Sequence, residues 1–264
     1  MTDETRLYNT VAPLRNVSAL LALVLRLQNR NPSLPGMATF YGPSGYGKTA
    51  AAVFATNKFR ACHVEVQSLW RAKSLLAAIV HELGLRPART SIEMFEQAAA
   101  ELARNDRVLL LDEADHLAKD SMIEVVRGLH QASGAPVILI GEELLPQKLQ
   151  KWERVHGRML DWVALEPASL ADVQQLAPIY APGIEIDEDL TAALLKASRQ
   201  SIRRVSTNLA AIDEFARGRG LGRVGLSVWG KQGFFTGEAP AARRDLDAGD
   251  RAMAATELRR KARA

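Results

Sequence analysis

Apolar positions along the chain fall into two kinds of segment. Short runs of aliphatic and β-branched residues occur at 37–41, 62–66, 108–111, 137–140 and 162–165. Between them lie longer stretches in which apolar residues recur every three to four positions, at 48–57, 73–83, 92–104, 121–132 and 144–152. The first kind predicts strands and the second helices. Four of the five strands are apolar nearly throughout, which suits strands covered on both faces. Strand and helix in alternation predict repeated βα units around a parallel sheet, so the fold class is α/β.

After Glu166-Pro167 the strand pattern stops and helices are predicted at 170–177, 188–197 and 203–217, with Ser169 and Asp187 as N-caps and Gly218 as the closing residue. Three parts are expected: an α/β core over 1–168, a helical lid over 169–221, and from 222 to 264 a loosely held basic tail with one helix near 250–263. No internal repeat is visible.

Composition narrows the setting. A hydrophobic content of 47% with 24% charged residues excludes a wholly disordered chain. The single cysteine, Cys62, cannot form an intramolecular disulfide, and the first thirty residues lack the order of a secretory signal. The apolar stretch at 17–27 is far shorter than the roughly twenty residues that a membrane span needs. An intracellular, cytoplasmic protein without a membrane span is expected. Charge is unevenly placed: from residue 199 onward there are 14 Lys/Arg and 7 Asp/Glu, against 20 and 23 before it. A positive C-terminal end is compatible with a polyanionic partner.

The sharpest chemical signal is Gly42-Pro43-Ser44-Gly45-Tyr46-Gly47-Lys48-Thr49, which fits G-x-x-x-x-G-K-[ST] between a predicted strand and a predicted helix. Glycines at 42, 45 and 47 allow backbone N–H groups to converge on phosphate oxygens. The helix beginning at Lys48 adds its positive end. Gly42 through Ala50 is thus the expected nucleotide-binding stretch, with Lys48 on the β- and γ-phosphates of ATP and Thr49 on Mg²⁺.

A second half of such a site stands at the end of the strand Val108-Leu109-Leu110-Leu111, where Asp112 and Glu113 follow. Asp112 is expected to hold Mg²⁺ through water. Glu113 is the expected general base for the attacking water.

Taken together, these motifs, a further apolar strand ending in a polar residue, and the helical end resemble the AAA+ ATPases, over roughly residues 16–218. Within them the strings GPSGYGKT, LLLDEADHL, VILIGE and SIRRVSTNLAAIDEFA look most like the transposition regulators, the group of the phage Mu B protein, TnsC and IstB-like proteins. The resemblance implies a P-loop AAA+ parallel-sheet core with a C-terminal helical lid. It also implies further site residues. Gly141-Glu142 stands where the family has a polar residue that positions the attacking water; a carboxylate there would repel the γ-phosphate unless paired. An arginine donated to a neighbouring subunit would be Arg158 or Arg154. The lid arginine on the nucleotide would be Arg203 or Arg204, and Asn16 and Val17 would border the adenine.

An arginine donated in trans implies a homo-oligomer, a ring or a helical filament. The resemblance implies double-stranded DNA in its channel, touched by Arg71, Lys73 and Lys119, and a transposase as protein partner. Only 41 residues precede Gly42, so DNA contacts are expected from the core or from the basic tail, whose Arg243-Arg244 and residues 258–261 are also candidates to engage the transposase. A helicase loader preferring single strands and a nucleotide-gated signalling ATPase without DNA binding are the alternative functions.

Overall fold

Alternate residues of a strand face opposite sides of a sheet, so an uninterrupted apolar strand requires cover on both. The computed structural model describes residues 14–118 and 122–238. Its strands are β1 (Met37–Tyr41), β2 (Cys62–Glu65), β3 (Leu109–Asp112), β4 (Val137–Gly141) and β5 (Met159–Ala164). They form one sheet in the order β2-β3-β4-β1-β5, with every pairing parallel. Ala38, Phe40, Leu110, Ile138 and Ile140 face one core, which includes helices α1 (Arg15–Gln28) and α2 (Lys48–Phe59) and the lid. Met37, Leu109, Leu111, Val137 and Leu139 face the other, packed by α3 (Ala72–Glu82), α4 (Ser91–Arg104) and α5 (Met122–Ser133). This is the α/β sheet that the apolar pattern predicts.

Where the pattern weakens, the boundaries move. Strand β5 begins three residues earlier than predicted, because on this half-exposed edge Asp161 points out to Arg26 and interrupts the apolar run. The helix predicted over 144–152 is two short ones, α6 (Leu145–Leu149) and α7 (Glu153–His156). Trp152 separates them with φ −109° and ψ 78°, outside the helical region, while its side chain packs on the second core.

The lid consists of α8 (Leu170–Tyr180), α9 (Glu188–Ala197) and α10 (Ile202–Arg217). A capping box starts α8: Ser169 Oγ accepts from Asp172 N–H at 3.3 Å, and Asp172 Oδ2 accepts from Ser169 N–H at 2.7 Å. The expectation of a purely helical end is corrected by β6 (Glu185–Ile186) and β7 (Arg223–Val224), which pair in parallel. Two-residue strands are too short to carry a period. Asp187 stands at the start of α9 but makes no capping bond; Arg223 Nε donates to its carboxylate at 2.7 Å instead.

The expectation of a loose segment from residue 222 is likewise corrected as far as 238. Helix α11 (Leu226–Trp229) buries Trp229, whose ring stacks on Phe234 at 5.5 Å and meets Phe215 edge-on at 5.0 Å. Buried Asn208 receives the Phe235 N–H at 2.7 Å and donates to the Phe235 carbonyl at 3.1 Å. The sparse apolar residues of this segment are aromatic, and a few large rings suffice to dock it. The helix expected near 250–263, and Arg243 and Arg244, lie outside the described residues. Among the described residues no helix is long and apolar enough to cross a membrane.

Asn208→Ala is expected to lose about 2 kcal/mol of stability by leaving both Phe235 backbone groups unpaired. Amide exchange should accelerate over 230–238 while the sheet amides stay protected; unchanged exchange there would refute the docking role.

Candidate active site

Strands that all run parallel bring all their C-terminal ends to one edge, and there the predicted motifs meet. The loop leaving β1 is tied to the end of β4 by the Gly42 N–H, which donates to the Gly141 carbonyl at 3.2 Å. Gly45 and Gly47 have φ of 83° and 90°, a region costly for residues with a Cβ. Gly47 is the N-cap of α2 and contributes no side chain, so the first N–H groups of that helix are left for a ligand.

Two segments far apart in sequence hold the loop from outside. The Asn16 side chain donates to the Tyr46 carbonyl at 3.1 Å and the Glu166 carbonyl at 2.9 Å, and accepts from the Glu166 N–H at 3.0 Å. From the lid, Ser201 Oγ and the Arg203 N–H donate to the Gly45 carbonyl at 3.3 and 3.1 Å. A Cβ on Gly45 would come within 2.6 Å of Ser201 Oγ, so the close approach of lid and loop requires glycine there.

Between loop and lid lies a cleft of about 600 Å³. Ser44, Gly45, Gly47, Lys48, Thr49 and Ala50 line its floor, Glu113 and Glu142 one wall, and Ile202, Arg203, Ser206, Thr207 and Ala210 of α10 the other, with Tyr180 at its side. The lid residues recur at helical spacing, which marks one face of α10. That spacing was readable in the sequence, but nothing in the sequence separates this face from an ordinary solvated one. Tyr180 and Ser201 carried no such signal.

Lys48 is 7% exposed, and its Nζ donates to the Gly42 and Pro43 carbonyls at 2.7 and 3.2 Å and to Glu142 Oε1 at 3.2 Å. Asp112 is buried at the end of β3, where its Oδ1 accepts the Glu113 N–H at 2.9 Å. Its Oδ2 is buried and meets no donor among the described residues, and His63 Nε2 stands 3.9 Å away without a partner of its own. A buried anionic oxygen lacking a donor suits a cation. Thr49, exposed on the first turn of α2, offers the hydroxyl that the motif assigns to the same ion. Bound there with a nucleotide, Mg²⁺ would supply charge neutralisation on the phosphate oxygens.

Glu113 takes φ 53° and ψ 38°, uncommon for a residue with a Cβ. Burial pushes its carboxyl up from the ordinary range, and the negative charges of Asp112 and Glu142 push it further, against the pull of Lys48. Behind it, Asp115 accepts from the Glu142 N–H on Oδ2 at 2.6 Å and from Lys148 Nζ on Oδ1 at 2.7 Å. Nothing in the pattern of LLLDEADHL singles out Asp115 for this role.

The remaining candidates scatter. Arg203 lines the cleft, whereas Arg204 turns to the docked C-terminal segment, where a Cβ on Gly237 would come within 2.7 Å of its Nε. Asn16 and Val17 are buried, 7% and 2% exposed, and neither lines the cleft. Arg154 is exposed on α7. Arg158 is exposed at the other end of the sheet, where its carbonyl accepts from Met37 N–H at 3.0 Å. It is therefore about 16 Å, the length of β1, from its own phosphate loop. Arg71 and Lys73 are exposed where α3 begins, on the same sheet edge as the cleft. Lys119 lies outside the described residues.

The AAA domain family model matches residues 30–149. No curated protein matches the sequence. Among solved structures, the Aeropyrum pernix ORC1 protein in complex with DNA is similar at TM-score 0.59 and 19% identity, over 82% of this chain and 64% of that one. The Aeropyrum pernix ORC2 protein in its ADP form is similar at 0.61 and 15%, over 83% and 67%. Cdc6p from Pyrobaculum aerophilum is similar at 0.59 and 17%, over 84% and 68%. The chain thus spans about two thirds of the length of these proteins, and the likeness is one of fold. Residues 30–149 thus match an AAA domain, within a fold shared with these proteins. The narrower likeness to transposition regulators has no support in these comparisons.

Lys48→Ala should weaken ATP binding at least about a hundredfold, since it removes the buried ammonium of the loop; affinity retained in a fluorescent-nucleotide titration would refute the site. Arg203→Ala should weaken nucleotide binding about tenfold and Arg204→Ala leave it unchanged; the reverse order would exchange their roles.

Proposed function

We propose that this ATPase assembles with copies of itself on double-stranded DNA when ATP is bound, and there recruits or activates a transposase. The observation that carries the assembly step is the position of Arg158. An exposed arginine a strand's length from its own phosphate loop cannot serve its own nucleotide, but it is free to enter the site of a neighbouring subunit. Arg154 is the second candidate for the same role. Head-to-tail contacts of this kind generate rings when they close and filaments when they do not.

In the proposed reaction, Lys48 and the loop N–H groups hold the phosphates, and Glu113 takes the proton of the attacking water. Arg203 closes over the nucleotide from the lid, and Asn16 braces the loop from beneath through the Tyr46 carbonyl. The incoming arginine stabilises charge building on the transferred phosphoryl oxygens. Bound triphosphate then favours assembly and hydrolysis reverses it.

Arg71 and Lys73 are proposed as phosphate contacts to DNA, giving salt-sensitive binding with little sequence preference. Support for DNA as the partner comes from the Aeropyrum pernix ORC1 structure, which is a complex with DNA. The transposase rests on the resemblance of the motif strings to the transposition regulators.

Two measurements test this reading. Arg158→Ala and Glu113→Gln should each be nearly inactive as ATPases alone and regain activity when mixed, because the intact arginine of one subunit completes the intact site of the other; no recovery would refute donation in trans. Anisotropy of a labelled non-specific duplex should rise cooperatively with ATP and not with ADP, and fall as salt is raised. Binding to single strands alone would point to a helicase loader, and absence of binding in both nucleotides to a signalling role.

A further inference from the structure

A lysine ammonium has three donors and accepts nothing. Lys48 directs its donors at two backbone carbonyls of the loop it closes and at one anion, Glu142 Oε1, at 3.2 Å. The carbonyls are integral to the loop, so the carboxylate is the partner that an arriving anion must replace.

Glu142 is held in that place. Its N–H donates to Asp115 Oδ2 at 2.6 Å, and Asp115 is fixed in turn by Lys148 at 2.7 Å. Asp115 is 8% exposed, and a Cβ on the preceding Gly141 would come within 2.4 Å of its Oδ2. Glycine at 141 thus permits the contact that aims the next residue at Lys48. Glu113 lines the same wall of the cleft, so two carboxylates face it beside the buried Lys48.

We infer that Glu142 is a specificity-determining residue: it competes with the terminal phosphate of a nucleoside triphosphate for the Lys48 ammonium and so biases the site toward the diphosphate. A triphosphate carries one more phosphoryl group, and its extra charge meets Glu142 where a diphosphate ends short of it. Triphosphate binding therefore includes displacement of Glu142 from Lys48. Asp115 is the positioning residue for that competitor. The inference rests on the nucleotide reading of this cleft and not on DNA or transposase as partners.

The test is titration of the full chain with fluorescent ATP and ADP analogues in Mg²⁺, reading the ratio of the two dissociation constants. Glu142→Gln keeps shape and removes charge, and its side chain is 43% exposed, so the fold should tolerate it; retained ADP binding reports that it has. The ATP-to-ADP ratio of dissociation constants should fall about tenfold, almost wholly through tighter ATP binding. Glu142→Asp keeps the charge but draws it back by one methylene, and should lower the ratio part of the way. An unchanged ratio in Glu142→Gln, or a wild-type ratio in Glu142→Asp, would overturn the ion-pair competition. Wild-type protein that binds neither nucleotide would overturn the reading of the cleft itself.

Discussion

Burying an ammonium group is costly unless its donors are met, and the arrangement of this molecule around Lys48 follows from meeting them. Two donors go to the Gly42 and Pro43 carbonyls, which curls the loop back on its own helix. The third goes to Glu142, at the end of a strand nearly a hundred residues away in sequence. Because β4 lies between β1 and β3 in the sheet, Glu142 links the two sides: its carboxylate meets Lys48, and its N–H donates to Asp115, just beyond the strand end that carries Asp112 and Glu113. The sheet order is thereby turned into a charge arrangement: one cation flanked by carboxylates, with room for phosphates among them.

Around that charge the loop is braced by neighbours that bond its carbonyls. Asn16 satisfies the Tyr46 carbonyl from the first helix, and Ser201 and Arg203 satisfy the Gly45 carbonyl from the lid. The Gly45 and Tyr46 carbonyls are thereby directed into protein and away from the cleft. The lid contact also gives α10 two jobs on opposite faces. One face presents Arg203, Ser206 and Thr207 to the cleft, and the other presents Arg204 and Asn208 to the docked segment ending at residue 238. A shift of this helix would be felt on both sides.

Much of this was legible in advance where the physics is local. Apolar runs bounded by turn residues located all five strands of the sheet, and the glycine spacing before Lys48-Thr49 located the loop, because each depends on residues adjacent in the chain. The short parallel pair β6 and β7, the break at Trp152 and the docking of 222–238 were not legible. Each depends on a partner distant in sequence: Val224 alongside Ile186, the second core beneath Trp152, Asn208 beneath Phe235. Likewise, Arg203 and Arg204 are equivalent neighbours in the sequence, and only the orientation of α10 distinguishes them.

The sequence by itself determined the α/β class, the phosphate loop and the acidic strand end, since periodicity and turn chemistry act over a few residues and need no tertiary partner. Tertiary structure alone decided the condition of the charges. That Glu142 pairs with Lys48, that Asp115 aims it, that Asp112 keeps a buried oxygen without a donor among the described residues, and that Arg158 stands at the far end of the sheet are facts of strand order and burial. Electrostatic interactions depend on distance and dielectric in space, and no spacing along the chain encodes either.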